Sequence, residues 1–188
     1  MSLRTYFRLA VVMLLLLAPQ VSDGQTLAVK TNLISDVVLV PSLGAETVVY
    51  DRWSVCLSGT YMPLKQSQDY YWRTFSVQPE ARCWLTESLA GPFVGVGYQF
   101  RGYNLGGLPF SHLKDSRSQG RMQGVGLSMG WHRILSTHWS LEGSMLLGWA
   151  HLNYDHYDNP RSDIVVSRWR ANYIGPLDLA LSLVYIIK

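Results

Sequence analysis

The sequence predicts an all-β protein: an eight-stranded antiparallel up-and-down transmembrane β-barrel with a side-chain-filled lumen. Three observations predict it. Apolar and polar residues alternate with period two over successive segments, the mark of strands with two unlike faces. The connections between those segments alternate between short turns and longer polar loops, as in barrels whose turns and loops emerge on opposite sides of a membrane. Aromatic residues stand at both ends of the apolar faces, where a bilayer meets water.

The first two segments, 27–33 and 43–50, alternate least cleanly, yet Lys30, Asn32 and Glu46 mark a polar side. In the third, Trp53, Val55, Leu57, Gly59 and Tyr61 oppose Ser54, Cys56, Ser58 and Thr60. In the fourth, Phe75, Val77, Pro79, Ala81 and Cys83 oppose Thr74, Ser76, Gln78, Glu80 and Arg82. Val94, Val96, Tyr98 and Phe100 then oppose Gly95, Gly97, Gln99 and Arg101. Val125, Leu127, Met129 and Trp131 oppose Gly124, Gly126, Ser128 and Gly130. In the seventh, Trp139, Leu141, Gly143, Met145, Leu147 and Trp149 oppose Ser140, Glu142, Ser144, Leu146, Gly148 and Ala150. The last carries Leu177, Leu179, Leu181, Leu183, Tyr185 and Ile187 on one face, and Asp178, Ala180, Ser182, Val184 and Ile186 on the other. Short links fall at 51–52, 86–92 and 132–138, longer polar ones at 62–73, 103–120 and 153–175. Only the first connection, 36–42, is shorter than this scheme prefers.

Composition agrees. A chain of 188 residues fits one domain. With 48% apolar, 12% aromatic and 15% charged residues it is not a disordered sequence. Sixteen Gly, eleven Tyr and seven Trp favour strands and turns over a helical bundle. A net charge of +3 is too near zero to point to nucleic acid. Arg4 and Arg8 precede an apolar run from Leu9 to Ala18 that stops at Pro19, with small residues on to Gly24. This reads as a cleaved signal peptide over 1–24, leaving 25–188 as the barrel domain. The run is shorter than the ~20 residues a spanning helix needs, and no later uncharged stretch reaches that length. The absence of Cys before Cys56 excludes a lipid-modified N-terminal cysteine.

A soluble, lipocalin-like ligand-binding barrel would share the alternation, so the outward face decides between the two. Trp53 and Tyr61 end one apolar face, Trp139 and Trp149 another. Ten residues at ~3.3 Å each, tilted by roughly 40°, cover about 25 Å, the height of a barrel's lipid-facing band. Indole and phenol rings favour that boundary, which argues for the membrane form. The polar face then lines a lumen just wide enough to be filled by side chains. There Lys30, Arg82 and Arg101 can pair with Glu46, Glu80, Glu142 and Asp178, a near balance that unpaired buried charges would not permit.

Several motifs are similar to those of a known family. They are Val29-Lys-Thr-Asn-Leu33, Tyr71-Trp-Arg73, Gln78-Pro-Glu80, Arg82-Cys-Trp84, Gly102-Tyr-Asn-Leu-Gly-Gly107, Ile134-Leu-Ser-Thr-His-Trp139 with Leu141 and Glu142, and Tyr173-Ile-Gly-Pro176. From about Leu27 to Ile187 the chain resembles the outer-membrane barrels of Bacteroides-type anaerobes grouped as domain of unknown function 3575. The resemblance implies an outer-membrane location in a Gram-negative cell envelope and a loose link with surface fimbriae. It implies no reaction and no catalytic residues. Family members often carry two Cys in the last long loop; 155–170 has none, so that staple is absent here.

The remaining chemistry is sparse. Cys56 faces the lumen and Cys83 faces outward, so the register argues against a disulfide. His151, Asp155, His156 and Asp158 have metal-capable side chains, but such a cluster is more often a hydrated loop. His112, His132 and His138 read as loop or turn residues, and no inward His is evident beside Glu142 and Ser144. No cofactor, metal or catalytic set is therefore expected. Lys114, Arg117, Arg161, Arg168, Trp169 and Arg170 lie in the predicted loops. They are candidates for contacting lipopolysaccharide phosphates or fimbrial and envelope proteins, since Arg pairs bidentately with phosphate. The expected function is a non-enzymatic integral outer-membrane barrel, a surface or envelope-assembly component surrounded by outer-membrane lipid and acting through its loops. The alternatives are a barrel enzyme acting on envelope lipid, with Ser144, His112 or His151 as essential groups, and the soluble carrier.

Overall fold

Period-two alternation builds sheets, and here the sheet closes on itself. The computed structural model describes residues 26–62, 71–106, 117–157 and 167–187. The predicted signal peptide, Lys114, Arg161, His112 and Asp158 lie outside the described residues. The strands are β1 (Leu27–Asn32), β2 (Ser42–Tyr50), β3 (Trp53–Met62), β4 (Tyr71–Trp84), β5 (Gly91–Gly106), β6 (Arg117–Ile134), β7 (Trp139–Tyr157) and β8 (Ser167–Ile187). Each pairs antiparallel with the next, and β8 returns to β1, Leu27 opposite Ile187, completing an eight-stranded barrel.

The apolar face points outward. Val55, Leu57, Val77, Val96, Leu127 and Leu179 are exposed, while Lys30, Glu46, Glu80, Arg82 and Glu142 are buried inside. A soluble carrier would show the reverse arrangement, so the lipocalin-like alternative is overturned. Tyr50, Trp53, Trp131, Trp139 and Tyr185 edge the short-turn end of this band. Trp139 and Tyr185 meet edge to face at 5.0 Å. Tyr61, Phe75, Phe100, Val125, Trp149 and Ile174 edge the other end.

Three expectations need correction. The strands run much further into the predicted loops than the alternation alone suggested: β8 spans 21 residues, and Arg117, Arg168, Trp169 and Arg170 belong to strands. Leu177 points inward rather than outward. The pairing steps from Leu146–Asp178 to Leu147–Pro176, leaving Leu177 as the extra residue of a bulge beside Asp178. It packs inside against Leu146 and Ala150. His132 is not a turn residue but a fully buried one at the end of the inner face of β6.

The short first connection also has a physical cause. β1 stops at Asn32, opposite Ser182, while Leu179 and Leu181 of β8 still belong to the outer apolar band. The connection is therefore level with that band, and its exposed residues are apolar: Ile34, Val37, Val38 and Leu39. It forms a single helical turn, α1 (Leu33–Val37). Its polar groups are satisfied locally, as an apolar surrounding requires. The Asp36 carboxylate accepts from Thr31 Oγ1, Ser42 N and Ser42 Oγ. The Asn32 side chain accepts from Ile34 N and Leu181 N and donates to Leu179 O, taking over the β8 edge where β1 ends.

Above the band the pattern inverts. On the outer face, Trp149 is followed by His151, Asn153 and Asp155; Val125 gives way to Gln123, Arg121 and Gln119; Ile174 gives way to Asn172, Arg170 and Arg168. The inner face turns apolar, with Ala150, Leu146 and Leu177 flanked by Met122 and Leu152. Just below the inversion, Gly97, Gly126, Gly148 and Gly175 stand side by side on β5 to β8. A Cβ at Gly148 would lie 2.0 Å from the Val125 carbonyl oxygen, so this row lets adjacent backbones approach more closely than any side chain allows. Accordingly, Gly148→Val is expected to prevent closure: unheated, detergent-solubilised protein should lose the fast-migrating β-rich band on gels. Gly143→Ala, where a Cβ meets nothing within 4 Å, should keep it.

Candidate functional site

The lumen is built from the inner face of β4 upward. Trp84, Arg82, Glu80, Gln78, Ser76 and Thr74 follow one another at every second residue, so one strand supplies a ladder from an apolar floor to a polar mouth. The floor is Trp84 and Phe93 packed with Ala28, Leu89, Val184 and Ile186 at the short-turn end. It closes that end with side chains.

Directly above it lies the charged cluster. Lys30 Nζ donates to Glu46 Oε2 at 2.9 Å and to Glu142 Oε1 at 3.0 Å. Arg82 Nη1 donates to the same two oxygens at 2.9 and 3.0 Å, and Arg82 Nε to Glu80 Oε2 at 2.9 Å. Glu46 Oε1 accepts from Ser54 Oγ at 2.6 Å, and Ser54 Oγ accepts from Trp84 Nε1 at 2.9 Å, tying the ions to the floor. The Arg82 guanidinium carbon sits 4.3 Å from the Phe93 ring centroid, a cation–π contact on its remaining face. Gln78 Nε2 donates to Glu80 Oε1 at 2.6 Å. Higher up, Arg101 Nη2 meets Asp178 Oδ1 at 3.1 Å in a more open pair. All seven residues proposed from the alternation thus face the lumen, and six ion pairs among them link four strands into one group and two into another.

His132 was missed. Its Nδ1 lies 3.3 Å from Glu142 Oε2, where an ionised carboxylate requires the ring nitrogen to donate. Its ring meets Trp84 edge to face at 5.6 Å. Extending the alternation of β6 by one more step would have found it, because 124, 126, 128, 130 and 132 share a face. Ser144 follows Glu142 on the inner face. Beside the cluster is a cavity of about 40 Å³, bordered by Ser42, Ser58, Ser76, Ser144 and Ser182, polar and roomy enough to hold water. Cys56 lies buried inside and Cys83 on the outer face, both as free thiols.

The predicted loop residues are divided differently. Arg168 and Arg170 share the outer face of β8, while the register turns Trp169 to the opposite face. Arg168 Nε donates to Asp155 Oδ1 at 2.8 Å. His151 Nδ1 lies 2.9 Å from Asn172 Oδ1. Two further arginines join this outer face: Arg73 of β4, read above as the end of a loop, and Arg121 of β6. A depression of about 1040 Å³ is bordered by Phe75, Gly102, Arg73, Arg121, Asn153 and Arg170 of this face and by Met62, Thr74, Tyr103, Gly120 and Tyr154 of the inner one.

Residues 9–187, nearly the whole chain, match the family described as "Protein of unknown function (DUF3575)", and the chain belongs to that family. No curated protein matches the chain. Among solved structures, Neisserial surface protein A (NspA) is similar at 15% identity, over 87% of this chain and 94% of that one, with a TM-score of 0.38.

The cluster yields a direct test. Arg82→Met leaves Glu46, Glu80 and Glu142 with one buried cation and should cost about 3–5 kcal/mol. Urea unfolding of the protein refolded into lipid vesicles should show that loss. Arg101→Met, at the more exposed pair, should cost less than about 1 kcal/mol.

Proposed function

We propose that this member of the DUF3575 family is a non-enzymatic integral protein of a Gram-negative outer membrane, a surface or envelope-assembly component that works through its outer sheet rather than through its lumen. The observation that carries this reading is the closed barrel with an apolar exterior, an ionised interior and a polarity inversion above one end of the band. An exposed apolar belt around an entire closed sheet is far larger than the patches soluble monomers tolerate. Strands β3 to β8 are long enough to cross about 25 Å of hydrocarbon at the usual tilt.

The lumen is an unsuitable route for solutes. The aromatic floor and the shared-carboxylate cluster fill it in series, and moving the ions aside would strand unpaired charges. The same burial separates Glu142 and His132 from lipid substrates. What reaches the outside of the cell, on this reading, is the continuation of β4 to β8 above the band with its connecting loops. Fimbrial subunits and other envelope proteins are the partners we propose for that surface.

Two measurements test this. Cell fractionation should place the protein with outer membranes, and the purified protein in planar bilayers should show no stable conductance; a steady open channel would overturn the sealed-lumen reading. Affinity capture of the detergent-solubilised chain from native envelopes should enrich surface proteins. An extracted-lipid profile that changes on deletion of the gene, and returns with the wild-type chain but not with Ser144→Ala, would replace this reading with an enzymatic one.

A further inference from the structure

The two rims of the barrel carry different charge. At the short-turn end, the exposed Asp51, Arg52, Glu87 and Arg133 balance two against two. On the outer face above the band, the described side chains include Arg73, Arg121, Arg168 and Arg170 but only one carboxylate, Asp155. A hydrated rim needs no such excess, and the opposite rim has none.

The placement of these arginines is specific. Arg73 stands two residues above Phe75 on the same face, about 5 Å along the barrel axis. Arg121 stands four above Val125, and Arg170 four above Ile174, about 10 Å. They point to the side that the apolar band shares, not toward the barrel axis. Gly102 lies between Phe75 and Arg121 in the register and carries no side chain to separate them. Phe75 at the top of the apolar band and Arg73, Arg121 and Arg170 above it border one and the same depression, so one molecule with acyl chains below and an anionic group above would touch both. Asn153 adds a neutral polar group to the same row.

Resting on the membrane reading above, we infer that this outer face binds the phosphorylated head group of a lipid in the surrounding leaflet, with Arg73, Arg121 and Arg170 as its phosphate ligands. Guanidinium groups pair with phosphate through two parallel hydrogen bonds, and their long stems can lie along the apolar edge while the head reaches the phosphate. Arg168, already paired to Asp155, would serve as a support at the far end of the row.

The test uses the full mature chain inserted into phosphatidylcholine nanodiscs doped with diphosphorylated lipid A or with its dephosphorylated form. Retention of each lipid is read by native mass spectrometry. Wild type should retain the phosphorylated form about tenfold better, the discrimination expected from roughly one to two charge-assisted contacts. Arg73→Gln/Arg121→Gln/Arg170→Gln should abolish that preference, whereas Arg52→Gln/Arg133→Gln at the other rim should preserve it. Millimolar inorganic phosphate should not displace the lipid; displacement would mean a free-anion site and overturn the assignment. Equal retention of both lipids by inserted wild-type chain overturns the site while leaving the membrane reading intact. Failure of the wild-type chain to insert at all overturns both.

Discussion

Glu46 Oε2 and Glu142 Oε1 are each shared by Lys30 and Arg82, so four charged groups from β1, β2, β4 and β7 meet in one knot. Closure of the sheet imposes this. An eight-stranded ring has no edge to leave open and too little interior for water to solvate five ions. Each charge must therefore find its counter-ion across the lumen, and each remaining lone pair or donor must find a neutral partner. Ser54, Gln78, His132 and the Phe93 ring supply those partners. The aromatic floor then removes the last access to solvent from the short-turn end. Strand register, lumen contents and the absence of a wide passage all follow from satisfying these few groups.

Much of this was legible in the sequence because period two is a strong constraint. A one-residue slip exchanges the two faces of a strand, so residues such as Glu80, Arg82 and Glu142 have only one side on which ionised groups can be accommodated. What alternation could not show is where it breaks. A bulge adds one residue without a compositional mark, and it carried Leu177 inward beside Asp178. The end of a strand is likewise not encoded by alternation, which is why His132 reads as a turn residue although it occupies the next inner position of β6.

Arg73 and Arg121 escape the sequence reading, and Arg168 and Arg170 enter it only as loop residues, for a different reason. The rule that polar residues point inward holds only where the exterior is apolar. Beyond the band, water returns to the outside, and the same strands exchange the chemistry of their faces while keeping their register. Gln123, His151 and Asn172 mark that exchange on three adjacent strands. The described parts of the segments read as polar loops are therefore strands whose polar side faces out. Their inner side keeps Met122, Leu152 and Ala150 together as a second apolar layer above the ions.

The first connection obeys the same logic in the other direction. It is irregular backbone at the height of the apolar band, and irregular backbone there must satisfy its own hydrogen bonds. Asp36 and Asn32 do so, and every large side chain that the connection exposes is apolar. A polar loop of ordinary length could not stop at that height. The shortness of the connection and its composition thus have one cause, the depth at which β1 ends. The long strands on the other side rise past that depth into a region where polar side chains are permitted, which makes β4 to β8 the wall with surface to offer and β1 to β3 the wall that ends within the band.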